Sequence, residues 1–502
     1  MADRALAAGL ALLLAGCSAT SSADIMADTF ARLDSIRTER KTQVEKKLEA
    51  MMEKVRAAGT NPALAHAFAR FRPGAGSGQP SGPMAAPEDR ELDKTYLEEY
   101  YYFYDILFID MSGQVFYTIR RESDLGKNLF TSELSSTLLA QKLKSGGKVE
   151  FVDYHFYSPS KEPAAFFIHP VEVDAKTTGW IAFQFSSAAL KEIMSAETGL
   201  GKTAEVYLTN ESKVMLTQSR LMAGNTILSQ QVETEAVARA IVSGRGNGII
   251  LDYRSVRVFS SFEKFQFAGA SWVIIAEVDE EEVITQRFME NREYYYEKIF
   301  RRLPAGPPVA PRPRLLFDEN VKVDINEYGY ARESEVVATA GVTTCTAVVI
   351  QYPGKFSYLG HAYPLDRVYY SAMERRLLDA YYYLADSVHG DKVVDLVGSM
   401  IRQISHFDIY PSETRRLEAT LLAPHHKSFA RITDKLLESG LFLSQIKILS
   451  LPSARYADVA VEVDSGMVTA HWVSADKSEV WTSAQDAPTL ETLVKEIMEY
   501  RG

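Results

Sequence analysis

The feature that most constrains this chain is a hairpin written twice. Ile106-Leu107-Phe108-Ile109-Asp110, the turn Met111-Ser112-Gly113 and Val115-Phe116-Tyr117-Thr118 form apolar, β-branched and aromatic runs around a polar break, which is a strand–turn–strand signature. About 99 residues on the pattern returns as Ala204 to Thr209, the turn Asn210-Glu211-Ser212, and Val214 to Thr217. The same offset carries Asp153-Tyr154 onto Asp252-Tyr253. The strand Trp180-Ile181-Ala182-Phe183 has its counterpart in Trp272-Val273-Ile274-Ile275, a few residues closer. Two homologous sheet modules in tandem follow from this spacing. Ahead of them, Phe30, Leu33, Ile36, Val44, Leu48, Met51, Met52 and Val55 fall three and four apart, predicting a long helix from Asp28 to about Phe71. A Gly/Pro/Ser stretch, Pro73 to Pro87, reads as a loop.

Composition narrows the classes of function. Of the 502 residues 46% are hydrophobic and 24% charged, as in folded soluble protein. Asp and Glu number 66 against 55 Lys and Arg, a net charge of −11. That leaves no basic surplus to displace counterions from phosphates, so nucleic acid is excluded as a partner. Two cysteines, Cys17 and Cys345, cannot build a disulfide framework.

The first seventeen residues read as an address. Ala5 to Ala15 is apolar or small but shorter than the roughly 20 residues of a spanning helix. It ends in Leu14-Ala15-Gly16-Cys17, which resembles a bacterial lipobox; a polar tether, Ser18 to Ala23, follows. The resemblance implies lipidation at Cys17, anchoring to a membrane, and a chain on the periplasmic side of the cell envelope. An ordinary signal peptide or an uncleaved anchor is the alternative, with Asp3 beside Arg4 giving little positive charge.

In order and spacing, residues 28–300 resemble the double Cache (dCache) extracellular sensor domains of chemotaxis receptors. The resemblance rests on Ile106–Thr118, Phe151-Val152-Asp153-Tyr154, Tyr157-Ser158-Pro159-Ser160, Pro163 to Phe166, Thr198 to Leu208, Asp252-Tyr253-Arg254 and the ending from Trp272 to Asp279. It implies a small-molecule ligand in the membrane-distal module and a role in signal transduction. The Arg-x-Trp-Tyr arrangement of the amino-acid-binding members is absent. Tyr117, Asp153, Tyr154, Tyr157 and Phe166 are the candidate pocket residues, each with core packing as the alternative. Arg120, beside Arg121, reads either as a cation for a carboxylate ligand or as part of a solvated face.

Five prolines fall in the eleven residues from Pro304 to Arg314, and fixed φ angles with missing N–H donors make this an extended spacer. Beyond it, Val336 to Ile350 reads as a buried strand pair turning at Ala340-Gly341, with Cys345 on its second arm. His361 follows in Tyr358-Leu359-Gly360-His361-Ala362-Tyr363-Pro364. A cysteine needs an imidazole to become a thiolate near neutral pH, and a third group to orient that imidazole; Thr339 is placed for this. A small buried hydrophobe is the alternative for a lone cysteine.

The arrangement Thr339-x5-Cys345-x15-His361 resembles the CheD family of chemoreceptor glutamine deamidases, as does the segment Pro452 to Val468 with Arg455. The resemblance implies Cys345 as nucleophile, His361 as general base and then acid, and Thr339 as its orienter, with no cofactor. Thr343-Thr344 replaces that family's Gly-Ser before the cysteine, and Leu421-Leu422-Ala423-Pro424-His425-His426 its Gly-Gly-Ala motif. His425-His426 lacks a third ligand in sequence, so no metal is expected.

The expected architecture is α+β: signal 1–17, tether 18–27, helix and distal module 28–190, proximal module 191–302, linker 303–314, and a CheD-like α/β sandwich 315–502. Two functional readings remain: a sensor lipoprotein coupled to a thiol deamidase acting on an envelope protein, a peptide or a small amide, and a binding or signalling lipoprotein whose third domain is an inactive scaffold.

Overall fold

The computed structural model describes residues 22–72, 92–145, 150–173, 176–302, 320–342, 345–362, 396–404, 414–422, 426–449, 456–473, 478–482 and 487–500. Cys17, Pro73–Pro87, the 303–314 linker, Thr343-Thr344, Tyr363-Pro364, a helix expected over Tyr370–Asp386, His425 and Pro452–Arg455 lie outside them. Among the described residues no helix is long and apolar enough to cross a membrane. The chain divides into two compact units, one of Asp28–Asp279 and one holding Glu280 onward together with the residues before Asp28.

The apolar spacing of the first helix is realised in α1 (Ser22–Ala57), where Leu33, Val44, Leu48, Met51, Met52 and Val55 are all buried. The helix stops at a 3₁₀ turn, Ala58–Thr60. A new one, α2 (Pro62–Phe71), starts where Asn61 accepts hydrogen bonds from the N–H groups of Ala63 and Leu64, with Pro62 at the first turn. The continuous helix expected to Phe71 is therefore two.

The distal module is a five-stranded antiparallel sheet: β1 (Asp105–Asp110), β2 (Val115–Thr118), then α3 (Leu138–Lys144), β3 (Phe151–Tyr157), β4 (Glu162–Val173) and β5 (Lys176–Ser186), in the order β2-β1-β5-β4-β3. Strand β1 is buried on both faces, which explains its unbroken apolar run. Leu107 and Ile109 pack with Leu139 and Leu143 of α3, whereas Phe108 turns to Phe68 of α2, with ring centroids 5.5 Å apart.

The proximal module repeats this layout with β6 (Glu205–Asn210), α4 (Glu235–Ser243), β7 (Arg245–Leu251), β8 (Arg257–Phe267) and β9 (Ala270–Asp279), ordered β6-β9-β8-β7. The shared turn has a shared cause. Asp110 accepts from the N–H groups of Ser112 and Gln114 at 2.8 and 3.0 Å, and Gly113 takes the positive φ of 87°. Asn210 accepts from the Val214 N–H at 3.0 Å in the same way. The second arm differs: Val214 and Met215 make only isolated bridges, to Gln231 and Thr209.

Residues 280–302, assigned to the proximal module from sequence, belong to the other compact unit. They form α5 (Glu280–Glu290) and α6 (Arg292–Arg302). Ile284, Phe288, Tyr295, Tyr296 and Ile299 share a core with Val348, Ile350 and Tyr358 of the third domain.

That domain is α+β, with two five-stranded sheets. One is β10 (Val321–Val323), β12 (Val336–Val342), β17 (Tyr456–Glu462), β18 (Met467–Val473) and β19 (Ser478–Thr482). The other is β11 (Tyr328–Arg332), β14 (Phe356–Ala362), β13 (Thr346–Tyr352), β15 (Glu418–Leu422) and β16 (Ile446–Leu449). Alternation along β13 explains the layers. Ala347 and Val349 meet Val337, Val459 and Val461 of the first sheet. Val348 and Ile350 face a helical layer of α5, α6, α7 (His426–Glu438) and α8 (Leu490–Ile497).

The tight turn expected at Ala340-Gly341 is not there. Strand β12 runs through both residues, with a register shift between Thr339 and Val342 and Gly341 at φ 72°. It is a bulge, held where Asp458 accepts from the Gly341 N–H at 3.0 Å. Consequently β12 and β13 lie in different sheets rather than in one hairpin.

Phe288 is fully buried, with Tyr296 edge-on at 5.0 Å. Phe288→Ala is expected to remove about 3–5 kcal/mol from the third-domain unit. Native-state hydrogen exchange should show that loss at β13 amides, with β9 amides keeping their wild-type protection.

Candidate functional site

Two groups of chemistry-bearing residues emerge. The first lies on the face of the distal sheet that α3 covers. Asp105 opens β1 and Gln184 sits opposite it on β5, so both side chains stand on one face about 5 Å apart. Both are fully buried, as is Asp124 from the loop after β2. Asp105 accepts from the N–H groups of Ile106 and Arg120 at 2.7 and 3.0 Å. Asp124 accepts from the Tyr157 hydroxyl at 2.8 Å, and Glu122 from that of Tyr104 at 2.7 Å.

These carboxyls are costly to ionise. Burial raises Asp105 to about 7, against the two N–H bonds that pull it down; Asp124 and Glu122 push it further up. Burial likewise raises Asp124, opposed by the Tyr157 hydrogen bond, and Glu162, with Glu122 adding to the rise.

Of the residues expected to line the ligand pocket, Tyr157 and Phe166 lie on this face, both fully buried in its core. Arg120 contributes its backbone N–H to Asp105. Its guanidinium is directed at Tyr104, donating from Nε to the carbonyl at 2.9 Å and standing 4.8 Å from the ring centre. Tyr117 is on the opposite face, stacked on Phe71 with centroids 4.6 Å apart. Asp153 and Tyr154 belong to the junction between the two modules. Asp153 accepts from Trp272 Nε1 at 2.9 Å, and Tyr154 lies against Trp272 and Phe185. A part-buried bond of this kind to a charged acceptor is worth about 1.5–3 kcal/mol at most. Asp105, Asp124 and Gln184 were not singled out from sequence. For Asp105 and Gln184 the signal is a polar residue in an otherwise apolar strand, Gln184 between Phe183 and Phe185 above all; Asp124, in a loop, carries no such signal.

The second group is in the third domain. Ala347 pairs with His361 across β13 and β14, so Cys345, two residues earlier, falls on the same face as His361. Cys345 is 7% exposed and belongs to the core between the two sheets. Thr339 reaches in from β12. Its hydroxyl lies 2.7 Å from the Val323 carbonyl and 2.8 Å from His361 Nδ1. A carbonyl can only accept, so the single hydroxyl proton goes to Val323 and Thr339 accepts from Nδ1–H. The proton is thereby fixed on Nδ1, and Nε2 keeps its lone pair. Nε2 is buried without a hydrogen-bond partner. Burial lowers the pKa of His361, with Asp324 opposing, so the ring is a neutral base near pH 7. Thr339, Cys345 and His361 are thus brought into one layer. Among the described residues no group of three or more His, Cys, Asp or Glu is placed to hold a metal ion.

No protein-family model matches the chain, and no curated protein matches it. Solved structures of sensor domains do. An extracellular ligand-binding receptor from Desulfohalobium retbaense aligns at 14% identity over 48% of this chain and 39% of its own, with TM-score 0.35. The periplasmic sensory domain of a Campylobacter jejuni chemoreceptor aligns at 13% over 52% of this chain and 98% of its own, with TM-score 0.38. The ligand-binding domain of a Pseudomonas aeruginosa amino acid chemoreceptor, in complex with GABA, aligns at 15% over 50% of this chain and 100% of its own, with TM-score 0.34. The chain thus spans about two fifths of the length of the Desulfohalobium receptor.

The raised Asp105 carboxyl has a consequence for stability. The folded chain holds that proton more tightly than the unfolded chain, whose carboxyl titrates near 3.8. Its stabilising contribution is therefore complete below about pH 4 and is lost as pH rises through about 7. The full span is on the order of 4 kcal/mol. Denaturant titrations at several pH values in this window should show the Asp28–Asp279 unit of Asp105→Asn gaining on wild type as pH rises. Parallel curves would contradict it.

Proposed function

We propose that this chain is an envelope sensor lipoprotein of the double Cache type, anchored through Cys17, that binds a small ligand in its distal module and carries a CheD-like thiol amidohydrolase as its third domain. The observation that carries the enzymatic part is the Thr339–His361 hydrogen bond, which leaves Nε2 as a base in the layer that holds Cys345. The sensor part is supported by the repeated sheet modules and by buried polar groups on the helix-covered face of the distal one.

In the proposed reaction Cys345 Sγ attacks a carboxamide carbon while its proton passes to His361 Nε2. The tetrahedral species collapses with cleavage of the C–N bond, and the imidazolium returns the proton to the departing ammonia. Water then attacks the thioester, His361 takes its proton, and a carboxylate leaves as the thiol reforms. Thr339 is a positioning residue throughout. On the envelope side, the substrate is a protein, peptide or small amide exposed there.

A specific observation favours the second reading, an inactive scaffold. His361 is fully buried and Cys345 nearly so, whereas a working nucleophile needs an approach path. Peptide-resolved iodoacetamide labelling of Cys345 separates the two. An active pair labels rapidly between about pH 6 and 7, below the ordinary thiol value of about 8.5, and His361→Ala slows it at least about tenfold. Thr339→Val, which frees the ring to change tautomer, should shift the pH profile without abolishing labelling. A profile of an ordinary thiol, indifferent to both substitutions, would leave the third domain as a scaffold.

A further inference from the structure

The two Cache-like modules bury acidic groups at corresponding places and satisfy them differently. In the proximal module Glu205 and Glu277 face each other across β6 and β9. Every one of their oxygens has a donor. Ser219 gives to Glu205 Oε2 at 2.9 Å and Tyr253 to Oε1; Tyr207 and Ser260 give to the two oxygens of Glu277 at 2.9 and 2.7 Å. That cluster needs nothing from outside.

The distal module has the equivalent row, Asp105 opposite Gln184, but with donors for only one oxygen each of Asp105 and Asp124. Asp105 Oδ2, Asp124 Oδ1 and Gln184 Oε1 are buried with no hydrogen-bond partner, and so are Glu122 Oε2 and Glu162 Oε1. Asp105, Asp124 and Gln184 are fully buried, so water in bulk does not answer them. Among the described residues the guanidinium alongside is that of Arg120, which is directed at Tyr104, draws on Glu162 and lies at the exposed edge. What is missing is positive charge together with several N–H donors.

We propose that this acid-lined face of the distal module takes an organic ammonium carrying several N–H donors, an aliphatic amine or diamine, with Asp105, Asp124 and Gln184 as its acceptors. The proposal rests on the sensor reading above and names its ligand class. An anionic ligand would meet carboxylates without a buried cation. A metal ion would need three or more converging ligands, which the described residues do not supply. A quaternary ammonium brings charge and no donors. Burial holds Asp105 at about 7 and raises Asp124, so both are costly to ionise unless a positive charge is brought beside them.

The test is calorimetric titration of the purified full chain with putrescine, tetramethylammonium and succinate. Putrescine is expected to bind saturably, and tetramethylammonium and succinate are not. Asp124→Asn keeps an acceptor for Tyr157 and removes the charge; it should weaken putrescine binding by about tenfold or more, as should Asp105→Asn. Glu277→Gln in the self-satisfied cluster should leave it unchanged. Equal binding of putrescine and tetramethylammonium, or putrescine binding indifferent to both Asn substitutions, would overturn the proposal. If succinate binds and putrescine does not, the ligand class falls while the sensor reading stands. If none of the three binds, the ligand class falls, while the sensor reading keeps the support of the repeated sheet modules.

Discussion

A carboxylate taken out of water must be answered by a donor or a positive charge, and this requirement shapes both sheet modules. The proximal module meets it internally. Ser219, Tyr253, Tyr207 and Ser260 surround Glu205 and Glu277, while Arg254 bridges Asp252 and Asp279 at 2.6 Å each. Burial still raises Glu277 to about 8, so the network holds a proton and acts as a rigid polar core. The distal module keeps the same row of positions on the same fold and leaves its acceptors open. The same layout thus holds one acidic pair whose oxygens are all answered from within and one whose outer oxygens are not.

Much of this layout was legible in the sequence. The repeat could be read because its turn chemistry is local: Asp110 and Asn210 cap their hairpins through side chains two to four residues away. What could not be read was the facing of side chains after an irregularity. An extra residue lies in β2, between the pairs Ile109–Val115 and Phe108–Tyr117, and another in β3 after Val152, and each moves later residues of its strand to the other face. Tyr117 therefore faces α2, and Tyr154 the junction between modules. Asp153 was conspicuous as an acid in a strand, but its partner Trp272 is 119 residues away, a separation that no local pattern encodes.

The third domain shows the same division. Thr339, Cys345 and His361 share a layer because β12 and β14 meet across two sheets, and spacing alone conveys no such geometry. Gly341 was read as a turn because a small residue between β-branched runs has two uses, and here its positive φ serves a bulge within one strand. Helices α5 and α6 were placed with the module before them because the proline run at 304–314 looked like the boundary. The apolar side chains of Phe288, Tyr295 and Tyr296 instead complete the third-domain core.

The central claim is that the distal carboxyls await a cation and the proximal ones do not. Infrared spectroscopy near pH 6 reads this directly, because a protonated carboxyl has a C=O band of its own. Asp105, at about 7, and Glu277, at about 8, should both contribute in the free chain, with the first band missing from Asp105→Asn and the second from Glu277→Gln. Saturation with putrescine should abolish the Asp105 band and leave the Glu277 band in place. An Asp105 band that survives saturation, or loss of the Glu277 band, would contradict the claim.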